Sequence, residues 1–549
     1  MPENESSSYQ PKTKRWNSNL VAIIAVVLTF TLSLLTVIRN RWKHEDTTKT
    51  TLRIAHWQLE LGYRKALQNV IDKYQELHPD VRIIQIPVTE KVWGQWINTH
   101  MVSGTAPDLV EIGHSKILAD PHKQSRFFIP ITEFVNDKNP YNKGTAIENL
   151  PWRETFIDGM RGGYLAELQD YFSAPTSMVT IRIYYNKDLL KKVTGSDRAP
   201  ETLDEYLNFC AKIRKYAQQT GEDIVPVAGS RFSVRFFVKR FMVIFGAPFE
   251  SKLDFNLSGS IDQDEVYMGF CKGLISLHSP GIKACYECLR KICNEFQPGF
   301  MAVDRDQAAF LFVQGKAGMI CTGSWDAYSL FEQAKFNVGI IDFPIPAKNG
   351  PYGKYIAGRA NEAGTSGCCR FAIYKQCRNK EVALDFMKFF TSCIVNSAFN
   401  QEIEWLPIIL TAEPSERMKP FMPDPTGFSS RVNFQYGSYV YTKLLGLQWR
   451  YLQGEIEYDE MADTVEKALR NPTYGGDITY ARHYDSTVKR VRNHERTLAL
   501  QAARRLMDPS ADDASRKLNK LLITQVRHNN GAWLKYLFEQ IRGKELELE

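Results

Sequence analysis

The chain predicts an α/β protein of helix-wrapped sheets divided into more than one compact unit. Three observations lead there. Short apolar, β-branched runs alternate with amphipathic stretches of helical period, beginning strand, helix, strand, helix, strand. The connections between them are short and marked by Gly, Pro, Ser and Asp. At 549 residues the chain is too long for one hydrophobic core, so two to four units are expected. The apolar share of 44% and the charged share of 24% belong to a folded chain rather than a disordered one.

The elements follow in order. A strand is expected over residues 52–55, then a helix with apolar positions Ala66, Val70, Ile71 and Tyr74 that ends before His78-Pro79. A second strand, Val81–Pro87, and a helix over 92–101 lead through Ser103-Gly104-Thr105-Ala106-Pro107-Asp108 to a third strand, Leu109–Ile112. Asp108 is expected to bond nearby backbone N–H groups and fix its loop. Residues 179–185 alternate as a strand, so Tyr184 and Tyr185 point to opposite faces and do not form a metal-binding pair. Pro200-Glu201-Thr202 opens a helix, with Thr202 as N-cap and Leu203, Tyr206, Leu207 and Cys210 on one face. Strands are expected over 224–227, 336–341 and 369–374, and a helix over 381–390. The most informative block is 304–326, DRDQAAFLFVQGKAGMICTGSWD. Its helical pattern (Ala308, Ala309, Leu311, Phe312) stops at Gly315-Lys316-Ala317-Gly318. A strand over 319–322 follows and ends in Gly323-Ser324-Trp325. A Trp just past the carboxyl end of a strand stands where open α/β sheets hold ligands.

Residues 20–38, LVAIIAVVLTFTLSLLTVI, carry no charge and are long enough to span a bilayer as a helix. Lys12, Lys14 and Arg15 precede them and no small-x-small cleavage site follows. The expectation is an uncleaved transmembrane signal anchor, with a cleaved signal peptide as the alternative. Residues 1–19 are then cytoplasmic, 39–51 form a charged linker, and the rest is membrane-anchored on the extracytoplasmic side. The formal charge is +7, and residues 482–549 supply +5 of it, with 14 basic against 9 acidic side chains. The nearly neutral body argues against a nucleic-acid partner and for a neutral or weakly polar ligand. Cys285, Cys288 and Cys293 have a spacing that invites a metal. On a helix, however, they fall with Leu289 as small buried apolar groups, and only His278 stands near as a fourth ligand. No metal and no cofactor are expected. From Arg482 onward the tail changes character: Val488, Val491, Leu498 and Leu506, then Leu518, Leu521 and Leu522, mark helices separated at Asp508-Pro509-Ser510. The expected role of this helical extension is a hairpin docked on the main domain, with a partner-binding module as the alternative.

The ordered set of segments resembles family 1 extracellular solute-binding proteins, the maltose-type substrate-binding components of ABC importers. The segments are the opening LRIAHW, then SGTAPDLVEIG, IRIYYNKDLL with APETLDEYL, the helix–GKAGM–strand–TGSW block, FNVGIIDFPIP, NKEVALDFMKFF and GEIEYDEMADTVEKAL, together covering about residues 52–471. The resemblance implies a two-lobed periplasmic-binding-protein fold over 52–475. Lobe 1 then holds about 52–176 and 342–385, and lobe 2 about 179–338 and 390–475, with hinges near 175–177 and 339–343. It also implies a sugar or oligosaccharide ligand clamped between the lobes, and ABC permease subunits as partners. By the same resemblance Trp325 matches the family's cleft aromatic and Tyr441 a second one. Trp57, Gln58, Glu111, His114 and Ser115, at strand ends, join the expected ligand-binding set. So do Arg359 and Asn361 in a glycine-flanked loop, and Trp405 in a ligand-side loop. Aromatic faces stack on sugar C–H surfaces while polar side chains take the hydroxyls. Two other functions compete. A carbohydrate-active enzyme would need an acid set against a nucleophile, and no Gly-x-Ser-x-Gly, phosphate-binding loop or His-Glu-x-x-His occurs. A membrane-tethered sensor or scaffold would use the same cleft.

Overall fold

Two separate sheets divide the apolar strands between two lobes. The computed structural model describes residues 49–507 apart from 61, 114–117, 119–120, 166–167, 169, 256–260, 363–366 and 429–430. It also describes 24, 26–33 and scattered positions between 512 and 531. In the first lobe, β1 (Thr50–His56) lies between β2 (Val81–Pro87) and β3 (Leu109–Ile112), parallel to both. The helix α1 (Tyr63–Leu77) makes the crossover between the parallel strands β1 and β2, and α2 (Glu90–Val102) carries the chain on to β3. The helix α1 buries Tyr63, Ala66, Leu67, Val70, Ile71 and Tyr74, the stripe its 3.6-residue period defines. Asp108 accepts from the Arg53 backbone N–H at 2.8 Å, tying the start of β3 to β1.

The chain leaves this sheet through β4 (Ala174–Ser177) and enters the second at β5 (Ile181–Asn186). The second sheet has the order β8-β5-β7-β6, with β6 (Val225–Ala228), β7 (Ala317–Gly323) and β8 (Val338–Ile341). Here β6 and β7 are parallel, and β5 runs antiparallel to β7 and β8. A later strand, β9 (Cys368–Ile373), returns to the first sheet between β3 and β4, antiparallel to both. Both sheets are therefore mixed rather than wholly parallel. The antiparallel strands are those at which the chain passes from one lobe to the other. Tyr185 packs into the second lobe's core and Tyr184 faces the other side of the sheet, as strand alternation requires.

The second lobe is wrapped by α3 (Lys187–Thr194), α4 (Leu203–Thr220), α5 (Arg231–Ile244), α6 (Pro280–Cys293), α7 (Arg305–Val313) and α8 (Ala327–Gln333). Thr202 caps α4 in a reciprocal box with Glu205. Cys285, Cys288 and Cys293 are buried in the core of this lobe. The later segments are shared out by packing. Phe343, Tyr352, Tyr355 and Ala360 join the second lobe's core. The helices α9 (Lys380–Phe390) and α10 (Cys393–Glu402) pack on α1 of the first lobe. The helices α11 (Gly437–Leu452) and α12 (Tyr458–Leu469) return to the second lobe. Residues 343–360 thus pack with the second lobe's core, and the helix holding Phe399 packs with the first. The chain passes between the two sheets after Ser177, between 341 and 368, and again after the helices that pack on α1; residues 175–177 lie in β4.

The long helix α13 (Gly476–Met507) begins ahead of the expected tail boundary. Tyr480 is buried and His483 Nδ1 lies 3.0 Å from Asp264 Oδ1, which roots the helix on the second lobe. Residues 508–510, Trp533, Leu534, Leu537 and Phe538 lie outside the described residues. So does most of the run 20–38, of which residues 26–33 are helical. Among the described residues no single helix is long and apolar enough to cross a membrane.

Candidate functional site

Two tryptophans reach the space between the lobes by the same local device. Trp57 follows the carboxyl end of β1, and its ring lies flat on Gly113 at the end of β3, where a Cβ would collide with it. Trp93 from α2 backs it, ring centroids 5.4 Å apart, and anchors its own Nε1 on the Gly113 carbonyl at 3.1 Å. Trp325 sits on a single 3₁₀ turn, Ser324–Asp326, past β7, and its ring folds onto Gly323, again with no room for a Cβ. Gly315, with φ +74, makes the sharp turn that lets α7 feed directly into β7. Each sheet therefore offers an indole at the carboxyl ends of its parallel strands, the position where open α/β sheets bind ligands.

Between them lies a cleft of about 680 Å³. The first lobe lines it with Trp57, Leu59, Glu60 and residues 89–91, and the second with Arg305, Phe310, Trp325 and Asp326. The size and the mixture of aromatic wall and few polar groups suit a small solute. Burial raises the Glu60 pKa, with Arg305 pulling the other way. Glu60 Oε2 is shielded and has no hydrogen-bond partner among the described residues. Burial likewise raises Asp326, opposed by Arg305 and by the Thr322 hydroxyl, which donates at 2.5 Å. Such carboxyls are strong acceptors for hydroxyl groups, and an unsatisfied buried oxygen gains most from one. Among the described residues no group of His, Cys, Asp and Glu is arranged to hold a metal ion.

The expected residues are distributed unevenly. Only Trp57 and Trp325 line the cleft. Gln58 and Glu111 are buried behind Trp57: the Gln58 amide donates to Glu111 Oε1 at 2.5 Å, and the Trp57 N–H to Oε2 at 3.3 Å. They set the posture of the indole from behind rather than meeting the cleft. Trp405 is buried in the first lobe, its ring 5.7 Å from Tyr63. Arg359 pairs with Asp342 at 3.2 Å, and the Asn361 amide donates to the Gly427 carbonyl at 3.0 Å, so both fasten a loop. Tyr441 is exposed and lines a separate recess on the second lobe. His114 and Ser115 lie outside the described residues. Glu60, Arg305, Phe310 and Asp326 were missed. Glu60 stands three residues past the first tryptophan and Asp326 one past the second, a spacing that carries no motif.

A protein-family model for bacterial extracellular solute-binding proteins matches residues 69–420. The chain belongs to that family. The family's members bind solutes and are not enzymes. An uncharacterized ABC transporter extracellular-binding protein of Pyrococcus horikoshii is 22% identical over 304 residues, 54% of this chain and 60% of its own length. The chain thus spans about three-fifths of that relative. Among solved structures, the GacH receptor of Streptomyces glaucescens, determined unliganded and with acarbose, aligns with a TM-score of 0.52 at 15% identity over 77% of this chain and 98% of its own. The solute-binding protein RafE in complex with raffinose aligns with a TM-score of 0.51, also at 15% identity, over 76% and 98%. At that identity the likeness establishes the two-lobed binding-protein fold.

Proposed function

We propose that this solute-binding protein captures an oligosaccharide in the cleft between its lobes, closes on it by a hinge motion, and presents it to the membrane subunits of an ABC importer. The observation that carries the reading is the pair of indoles, one on each lobe, facing a cleft edged by Glu60 and Asp326. Indole faces match the C–H faces of sugar rings, and carboxylates match the hydroxyls. A ligand touching both lobes favours the closed state by its differential contact. Two fold relatives, determined in complex with acarbose and with raffinose, support the same solute class. The domain is extracytoplasmic in this reading, held at the membrane by residues 20–38. Screening the full-length protein against a glycan library by thermal shift tests it, since a ligand bound only by the native state raises the melting temperature. A stabilising oligosaccharide that is recovered unchanged after incubation is the expected result. Stabilisation by amino acids or peptides alone would overturn the sugar reading.

A further inference from the structure

The cleft does not account for a second cavity, of about 410 Å³, between α5 and α11 on the second lobe, closed by residues 431–435. Its walls include Phe232, Tyr441 and Trp449. Three cations border it: Arg235 and Lys239, one turn apart on α5, and Arg431 from the closing segment. Among the described residues no Asp or Glu lines it. Among the described residues, none of the three cations has an ion-pair or side-chain hydrogen-bond partner. Their neighbour Arg240 differs, because Glu362 neutralises it. Partial enclosure lowers the Lys239 pKa, and Arg431 and Arg240 lower it further, the mark of a positive field without a counter-charge.

The recess adjoins the cleft. Phe232 lines the recess, and its ring stands 6.2 Å from that of Trp325 in an edge-on contact. Arg305, which also lines the cleft, has its guanidinium 5.9 Å from the centroid of the Phe232 ring. The cleft itself is edged by Glu60, Glu90, Asp306 and Asp326 against Lys91 and Arg305. The two spaces therefore have opposite electrostatic character on either side of one aromatic ring. Arg235, Lys239 and Arg431 are exposed, and all three stand on the wall of this one cavity, so an anion entering it meets a positive field with no carboxylate to oppose it.

We infer that the solute is an acidic oligosaccharide, whose uncharged rings lie in the cleft against Trp325 and whose anionic group, a carboxylate or a sulfate or phosphate ester, lies in the recess among Arg235, Lys239 and Arg431. The inference rests on the sugar reading of the cleft and narrows it to a charge class. Tyr441 then contacts the ligand from the recess side.

The test uses the full-length protein and a glycan array holding neutral, uronate-, sulfate- and phosphate-bearing oligosaccharides, followed by calorimetry on the best binder and its uncharged counterpart. The charged glycan is expected to bind at least about tenfold more tightly, and less tightly as salt is raised. The double substitution Lys239→Gln, Arg431→Gln is expected to cost about tenfold or more for the charged glycan, and much less for the uncharged one. The array's hits identify which anionic group is read. A charged glycan held equally well by the double variant, or hits confined to neutral glycans that Trp325→Ala still weakens, would overturn the inference while leaving the sugar reading intact. No glycan binding of any kind would overturn both.

Discussion

At the scale of single residues, the site rests on two indoles held in place by two missing side chains. Trp325 is only partly buried, so part of its ring remains open to a ligand. Trp325→Ala is expected to weaken binding of the oligosaccharide found by the thermal-shift screen by about 1–3 kcal/mol, with the melting temperature of the free protein little changed. Calorimetry returning the wild-type affinity would remove this residue from the site. Gly323→Ala should weaken binding in the same direction, because the new methyl occupies the place of the indole ring. Trp325 was legible in the sequence because helix, glycine turn, strand and Trp appear in uninterrupted order. Gln58 and Glu111 were legible as strand-end residues but not as buried ones. Proximity to a strand end does not say whether a side chain turns toward the cleft or back beneath the neighbouring ring.

At the scale of elements, β1 and β3 bring two buried titratable groups into the first sheet, and their effects on stability have opposite signs. Burial lowers the His56 pKa from 6.5 to about 4, against its hydrogen bond with Gln85. The unfolded chain then binds the extra proton first, so this contribution is complete above 6.5 and is lost as pH falls toward 4. Burial raises Glu111 from 4.5 to about 8, against its bonds from Gln58 and Trp57. Here the folded state keeps a proton that the unfolded chain releases, so stability declines as pH rises from 4.5 toward 8. The two oppose each other between 4.5 and 6.5. Above 6.5 Glu111 alone of the pair acts, at up to about 1.4 kcal/mol per pH unit. Melting temperatures measured from pH 6.5 to 8 should fall for the native sequence and stay flatter for Glu111→Gln. Parallel curves for the two proteins would exclude this role of Glu111. Nothing in the sequence signalled these shifts, since both depend on which strands flank β1 and what covers the sheet.

At the scale of the whole molecule, one buried ion cluster sits where the passages between the lobes converge. Arg182 on β5 donates to both oxygens of Glu362 at 2.8 and 2.9 Å, and also to the Met422 carbonyl at 3.0 Å. Arg240 from α5 adds a second cation to the same carboxylate. Burial alone would raise the Glu362 pKa, but the bond to Arg182 and the charges of both arginines hold it below its ordinary value. A strand of the second sheet, the segment that returns to the first lobe, and the segment that comes back are thus pinned at one point. Arg182→Ala leaves the Glu362 carboxylate buried with only its bonds from Arg240 and the Asp424 N–H, and is expected to cost about 3–5 kcal/mol in urea unfolding. A loss below about 1 kcal/mol would show that the cluster is not a structural pin.

Local signals along the chain were enough for the α/β class, most of the strands and helices that build the lobes, the Thr202 cap and the place of Trp325 after its strand. Each of these is fixed by local periodicity, turn chemistry or order along the chain. Long-range packing settled that both sheets are mixed, that residues 343–360 join the second lobe, and that Glu60 and Asp326 line one cleft. It also decided that Trp405 and Glu111 are internal and that Tyr441 belongs to a cationic recess. These depend on pairing between segments up to hundreds of residues apart. There the free energy of burying Phe343 or Phe399 against one lobe rather than the other is settled by the surfaces that meet, and no local pattern records it.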